Sequence, residues 1–179
     1  HVLCTFFRGE HGFASKKQTG RLIENIEEYN PDIIHLHNIH GFYLDVEQLF
    51  RYLKTAGKPV VWTLHDCWSF TGHCAHFDYI GCMKWKTGCG NCPQYRSVYP
   101  YALFKDNTAS NHRRKKAAFT GVPSMTVVTL TCLWITGCAM FCVVKIMWPA
   151  YKDVEDKSVV KVYTMEELYG DDWEEKTDN

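Results

Sequence analysis

Apolar side chains recur along the first 130 residues at two spacings, one typical of amphipathic helices and one of short buried strands. The helical spacing is clearest in Val46, Leu49, Phe50 and Leu53, with Gly57 behind them. In chain order the pattern predicts a helix that starts at Ser15, a strand over residues 32–37, a helix over about 45–55, a strand over 60–64, a helix over 107–119 and a strand over 125–130.

Strands that alternate with helices through short connections favour an α/β fold. The specific prediction is a Rossmann-like parallel sheet with helices on both faces. The helix between the first two strands is long enough for a right-handed crossover. We expect residues 1–130 to form this domain, interrupted by a Cys- and His-rich loop at residues 67–100.

The pattern changes after residue 130, and residues 131–179 form an atypical tail, first hydrophobic and then acidic. The formal net charge of zero argues against a general nucleic-acid binder, but it hides an asymmetry. Residues 1–152 carry 17 Lys and Arg against 10 Asp and Glu, whereas residues 153–179 carry 3 against 10. We expect the acidic end to be weakly ordered, and the abrupt change fits a frame disruption, a truncated gene or a fusion.

Two further segments have competing interpretations. Residues 125–144 are 20 uncharged, mostly apolar residues, long enough to span a bilayer, and they follow the basic run at residues 113–116. The alternative is a buried strand at 125–130, which the sheet needs, followed by sequence outside the fold. The basic run itself suits either a nucleic-acid or anionic-lipid contact or, as is more common, a solvated helix face.

Histidines and an aspartate follow the ends of two predicted strands. His35, His37 and His40 come with the first strand, and His65 and Asp66 follow the second. Because the carboxyl ends of parallel strands share one edge of a sheet, these side chains can converge on a polyhydroxylated or phosphorylated ligand. His35 lies inside an apolar strand, so we expect it to be a satisfied core residue. For His37 and His65, the sequence favours a ligand contact and a structural role equally.

Five of the nine cysteines lie in the 67–100 loop, with the spacing C-x6-C-x7-C-x6-C-x2-C. Their position beside histidines, without a secretory leader, favours reduced thiols or a metal and a cytoplasmic location. The last pair has the spacing that zinc prefers, so the sequence predicts a structural zinc ion with His73 and His76 as substitutes for a cysteine. Buried free thiols and disulfides are the alternatives. The predicted ligands are Cys74, Cys82, Cys89 and Cys92.

Two motifs resemble the N-terminal half of family-4 glycosyltransferases: NPDIIHLHN at residues 30–38 with Gly41, and WTLHDCWSFTGHC at residues 62–74. The stretch GCMKWKTGCGNCP at residues 81–93 is similar to the colanic-acid or exopolysaccharide group of that family. The resemblance covers roughly residues 10–130.

The resemblance implies a GT-B arrangement of two Rossmann-like domains, with the acceptor bound by the first and a UDP- or GDP-sugar by the second. It also implies transfer with retention and no cofactor or metal for catalysis. By this carry-over His65 contacts the transferred sugar, and Asp66 orients that sugar or the acceptor. These two are the candidate catalytic residues. The candidate substrate-binding residues are His37, Asn38, Gly41 and His73.

The chain departs from the family pattern at both ends, since the first strand and its glycine-rich loop should precede His1 and a second domain should follow residue 130. We therefore expect the 179-residue chain to be inactive alone. The expected partners are a nucleotide-sugar donor and a saccharide or lipid-linked saccharide acceptor, with no nucleic acid. The expected location is the cytoplasm, with peripheral contact at the inner face of the cytoplasmic membrane. A zinc-stapled or membrane-anchored binding module without catalysis is the alternative.

Overall fold

Parallel strands alternate with helices in the part of the chain that the computed structural model describes, residues 1–130 and 160–163. This confirms the predicted α/β fold with its Rossmann-like parallel sheet. The long loop after β2 contains two short 3-10 turns, Asp78–Ile80 and Lys84–Lys86. The elements in chain order are α1 (Val2–Arg8), α2 (Lys16–Tyr29), β1 (Ile34–His37), α3 (Val46–Leu53), β2 (Val60–Leu64), α4 (Thr108–Phe119), β3 (Met125–Leu130) and β4 (Val160–Tyr163).

The strands form one sheet in the order β1-β2-β3-β4. The first three are parallel, with Ile34 beside Val60 and Val60 beside Met125, and β4 runs antiparallel to β3. The carboxyl ends of β1, β2 and β3 therefore lie at one edge of the sheet. β4 comes from the segment expected to be atypical, and the rest of residues 131–179 lies outside the described residues.

The proposed membrane span is described only over residues 125–130, which form β3 as predicted. Its remaining residues, 131–144, lie outside the described part of the chain. Among the residues that the structure describes, none of the helices has both the length and the apolar character needed to cross a bilayer.

The core lies between one face of the sheet and helices α3 and α4. The ring of Trp62 on β2 packs against Phe50 of α3 and Phe119 of α4, with centroids 5.2 and 4.9 Å apart. All three are buried, as is Val127 beside Trp62 on β3. Aromatic pairs at these distances add to the stabilisation from apolar burial, so this cluster fixes both crossover helices on the sheet.

His35 was predicted to be a core residue, and this was wrong. The burial pattern of β1 alternates, with Ile34 and Leu36 buried and His35 exposed. Successive side chains of a strand point to opposite faces, so two apolar neighbours on the core face place His35 on the other. There its Nε2 lies 2.9 Å from the Thr63 hydroxyl.

The predicted helix starts are correct in position but differ in how they are capped. Asp45 caps α3, since its carboxylate accepts a hydrogen bond from the Gln48 amide at 2.9 Å. Ser15 precedes α2 in a left-handed conformation and makes no side-chain cap. Its hydroxyl instead lies 3.0 Å from the Nδ1 of His1.

The basic run on α4 does not form one charged surface. Lys115 is fully buried, and its Nζ donates to the carbonyls of Trp68 and Thr71 at 2.7 and 3.1 Å. Arg114 makes two hydrogen bonds to the Glu47 carboxylate on α3, at 2.8 and 2.7 Å. Within the run only Arg113 and Lys116 are exposed, so the prediction of a solvent-exposed helix face is confirmed for two of its four residues.

Candidate functional site

A small cavity lies at the carboxyl end of β2, where polar side chains were expected to converge. Its volume is about 10 Å³, and we call it the sheet-edge cleft. Its floor is formed by Trp62, Thr63 and Leu64 at the end of β2, and further side chains with hydrogen-bonding capacity come from the two segments that follow β1 and β2. These are Asn38, His40, His65, Asp66, Trp68 and Ser69.

His37 and His65 are hydrogen-bonded to each other beside the cleft, with His37 Nδ1 3.0 Å from His65 Nε2. The parallel register places His37 next to Thr63, and His65 follows two residues later on the same side of the chain. Burial and the charge of His65 lower the pKa of His37, which favours its neutral form. When both rings are neutral, one donates and one accepts in the shared bond. Their two remaining nitrogens then present one donor and one acceptor to a ligand.

Asp66 is oriented by one close contact at each carboxylate oxygen, the His40 ring at Oδ2 and a hydrogen bond from a backbone amide at Oδ1. His40 Nε2 lies 2.9 Å from Oδ2, and the Trp68 amide donates to Oδ1 at 2.8 Å. Burial alone would raise the pKa of Asp66, but the hydrogen bond and charge of His40 and the Trp68 amide hold that pKa below its ordinary value. Asp66 is therefore an ionised acceptor with a fixed direction.

Aromatic rings support the cleft from behind. The ring of His11 packs 5.4 Å from that of Trp68 and 6.0 Å from that of His40, and only 1% of His11 is exposed. Burial, followed by the charge of Lys115, lowers the pKa of His11 far below its ordinary value. The Tyr99 hydroxyl donates to the His40 carbonyl at 3.2 Å. This packing holds His40 in place against Asp66.

Of these residues, His40 was named among the histidines expected at this edge, whereas His11 was missed as a site candidate. His40 follows the end of β1 by three residues, so its position already placed it near Asp66. Nothing in the local sequence of His11 links it to the cleft, because that link depends on the three-dimensional packing of α1 and its following turn.

Asn38 and Gly41 lie in the turn after β1. Asn38 lines the cleft, and its carbonyl accepts a hydrogen bond from the Tyr43 hydroxyl at 3.1 Å. Gly41 does not line the cleft. A Cβ atom at that position would lie 2.6 Å from the ring of the exposed Tyr43, so a larger residue there must displace this ring.

The remaining predicted residues lie around a second cavity of about 20 Å³, which we call the cysteine cavity. It is lined by Cys74, Cys82, Cys89 and Cys92 together with His73, so His73 lies with the cysteines and not in the sheet-edge cleft. Burial raises the pKa of Cys89 and that of Cys92 to about 11. Within residues 1–130 and 160–163, no group of three or more His, Cys, Asp or Glu side chains is already arranged to hold a metal ion.

Comparison with known proteins yields a partial relative. The chain is 41% identical over 78 residues to a protein of Escherichia coli (strain K12) named as the colanic acid biosynthesis glycosyl transferase WcaC. The alignment covers 41% of this chain and 19% of the relative, so the chain spans about a fifth of the protein that it matches. No family model and no solved structure matches the chain. Over the aligned segment the chain is therefore similar to a glycosyl transferase of colanic acid biosynthesis.

Proposed function

We propose that this chain is part of a glycosyltransferase of cell-surface polysaccharide biosynthesis. The whole enzyme transfers a sugar from a UDP- or GDP-sugar to a saccharide or lipid-linked saccharide acceptor, with retention at the transferred carbon. In this proposal the chain contributes the wall of the active site that meets the acceptor. The nucleotide-sugar is bound by a second domain of the same GT-B arrangement, and the reaction takes place at the inner face of the cytoplasmic membrane.

One observation carries the proposal: the hydrogen-bonded pair His37–His65 lies beside the oriented Asp66 at the carboxyl edge of a parallel sheet. Ligands of open α/β sheets bind at this edge. A donor, an acceptor and a fixed carboxylate close together suit a polyhydroxylated ligand, because each sugar hydroxyl both donates and accepts. The partial relative, named as a glycosyl transferase, supports the same chemistry.

Within this function the residues take distinct roles. His65 contacts the transferred sugar, and its bond to His37 fixes the orientation of its ring. Asp66 accepts a hydroxyl of the sugar or acceptor through the lone pairs that His40 and Trp68 leave open, since a carboxylate accepts about four hydrogen bonds. Asn38 contacts the acceptor from the neighbouring turn. These contacts contribute to the rate by positioning, which can lower a barrier by several kcal/mol, on the order of 7–11 at the limit.

The test is a titration of the 179-residue chain with oligosaccharides from exopolysaccharide repeat units, followed by tryptophan fluorescence, because Trp68 lines the cleft. We expect saturable binding that falls at least about tenfold in His65→Ala and in His37→Ala, which corresponds to about 1.4 kcal/mol per variant. His76→Ala is the matched control, since His76 is an exposed histidine of the long loop that does not line the cleft.

Equal affinities in wild type, His65→Ala and His37→Ala would show that the saccharide does not bind at the sheet-edge cleft. Failure of every saccharide to bind a folded chain would contradict an acceptor-binding role altogether.

A further inference from the structure

The cysteines of the 67–100 loop are gathered around one small space. Cys74, Cys82, Cys89 and Cys92 all line the cysteine cavity, and each is close enough to interact electrostatically with the other three. A cavity of about 20 Å³ accommodates one water-sized occupant. Cys67, the fifth cysteine of the loop, does not line it. The cavity thus selects the same four thiols that the sequence spacing indicated.

Backbone amides point at two of these sulfur atoms. The Gly72 amide donates to the Sγ of Cys89 at 3.1 Å, and the Gln94 amide donates to Cys92. The approach of Gly72 is close: a Cβ atom there would lie 2.7 Å from the Cβ of Cys89. Hydrogen bonds from backbone N–H groups favour negatively charged sulfur, the form that binds metal ions.

His73 presents a further unpartnered nitrogen at the wall of this cavity. It is 2% exposed, its ring donates a hydrogen bond to the Val98 carbonyl, and its Nε2 has no hydrogen-bond partner. The donating nitrogen is therefore Nδ1, and Nε2 carries a lone pair at the cavity wall. This nitrogen is thus a further donor atom at the cavity wall, and the variants below distinguish it from the cysteines as a ligand.

Two lysines provide positive charge around the same cavity. Lys115 is fully buried, which lowers its pKa to about 7, and the nearby Cys89, Asp66 and Cys74 favour its charged form when they are ionised. Lys84 lines the cavity, and its Nζ donates to the carbonyls of Gly90 and Asn91 at 3.1 and 3.0 Å. Four thiolates around a divalent cation carry a net charge of −2, which two neighbouring ammonium groups offset.

We propose that Cys74, Cys82, Cys89 and Cys92 bind one zinc ion in a closed, tetrahedral four-thiolate site. Zinc prefers this donor set, and a site without an open position is structural and not catalytic. The four thiols release their protons to solvent as the Zn–S bonds form. Since these side chains are not yet arranged around a metal, binding turns them inward about the cavity that they already line.

The consequence is that zinc crosslinks distant parts of the 67–100 loop. The backbone of Cys92 is already fixed by Asp106, whose Oδ2 accepts its amide hydrogen at 2.7 Å. Zinc adds bonds between this end of the loop and Cys74, which follows the sheet-edge cleft along the chain. The site holds a long loop of irregular structure in one conformation, independently of whether the cleft binds a saccharide.

The first test is the metal content of the 179-residue chain, purified without chelators after expression in zinc-supplemented medium and measured by mass spectrometry of the metal. We expect one zinc ion per chain, and the Co²⁺-substituted protein should show the thiolate-to-cobalt absorption band and the visible bands of a tetrahedral site with four sulfur ligands. A folded chain without zinc, or a cobalt spectrum with fewer thiolates, overturns the proposal.

The second test uses variants. Cys82→Ser and Cys89→Ser should lower the zinc content at least about tenfold, whereas Cys67→Ser and Cys4→Ser, which change cysteines outside the cavity, should retain the metal. Loss of zinc in His73→Asn together with retention in Cys82→Ser would overturn this ligand set. If a variant does not fold, the thiols of the wild-type chain can be titrated with a mercurial reagent while a chromophoric chelator reports the zinc released. We expect zinc to be released only when the four proposed ligand thiols are modified, and release without their modification overturns the proposal.

Discussion

Asp66 shows how one side chain at the end of β2 is held ready for a ligand. Its two oxygens are bound by the His40 imidazole and the Trp68 amide, so the carboxylate is both ionised and fixed in direction. A side chain that is 16% exposed gains more from these bonds than a surface carboxylate does, because water competes less for its oxygens.

Replacement of Asp66 by Asn should lower the free energy of unfolding by about 1–3 kcal/mol at pH 7. The pKa of Asp66 is lower in the folded than in the unfolded chain, so its stabilisation is complete above the unfolded pKa and disappears as the pH falls through the folded pKa. The difference between wild type and Asp66→Asn should therefore persist from pH 7 to about pH 4 and vanish in stronger acid.

Urea unfolding across this pH range measures the effect, with Asp78→Asn as the control, because Asp78 is an exposed carboxylate of the loop. A cost that stays constant into strong acid would show that Asp66 acts through its shape and not through its charge.

At the scale of elements, α3 and α4 are joined above the sheet by Arg114 and Glu47. The guanidinium makes two hydrogen bonds to the carboxylate and lies 3.8 Å from the centre of the Phe13 ring. Both side chains are about one-third exposed, so solvent screens part of their attraction. The fork geometry and the ring contact are specific to arginine.

Arg114→Lys should therefore destabilise the fold by about 0.5–1 kcal/mol and Arg114→Ala by about 1–2 kcal/mol. Arg113→Ala, on the exposed face of the same helix, should stay within about 0.5 kcal/mol of wild type. Thermal and urea unfolding of the three variants decide this. Equal costs at the two arginines would mean that helix propensity and not the bridge determines the stability.

Two glycines are expected to respond oppositely to alanine. A Cβ at Gly72 would overlap the Thr108 carbonyl oxygen, so Gly72→Ala should cost about 1–3 kcal/mol by forcing the loop away from α4. A Cβ at Gly20, inside α2, meets its nearest atom at 3.5 Å. Gly20→Ala should stabilise the chain by about 0.5–1 kcal/mol through helix propensity. Unfolding midpoints that move in the same direction for both would contradict the described packing of the loop.

At the scale of the whole molecule, the chain is expected to recognise a saccharide without transferring a sugar. We predict no turnover by the 179-residue chain with any UDP- or GDP-sugar, because the proposed donor domain, which positions the leaving phosphate, is a separate unit. A radiolabelled nucleotide-sugar assay with product separation measures this. Sugar transfer above the uncatalysed background, lost in His65→Ala, would contradict the division of labour between two domains.

The sequence predicted those parts of the molecule that depend on local spacing. The three parallel strands and the helices α2, α3 and α4 follow from apolar periodicity, because that spacing decides which face can be buried. α1 was missed, since its short segment leaves Leu3 and Phe7 exposed and shows no amphipathic face.

Contacts between distant segments could not be predicted in this way. Lys115 is buried because the carbonyls of Trp68 and Thr71, 47 and 44 residues away, accept its hydrogen bonds. The link from His40 to Asp66 likewise depends on how two separate turns meet. The candidate site was therefore predicted as a list of residues, whereas their pairing required the fold.

The buried amine of Lys115, which bonds to two loop carbonyls, has a thermodynamic consequence. It bonds the carbonyl of Trp68, in the wall of the sheet-edge cleft, and that of Thr71, in the wall of the cysteine cavity. Any coupling between two sites through this shared anchor is reciprocal: a factor by which zinc tightens saccharide binding must also be the factor by which saccharide tightens zinc binding. We expect this factor to exceed one, and dissociation constants for saccharide before and after chelation measure it; identical values would show that the two walls move independently.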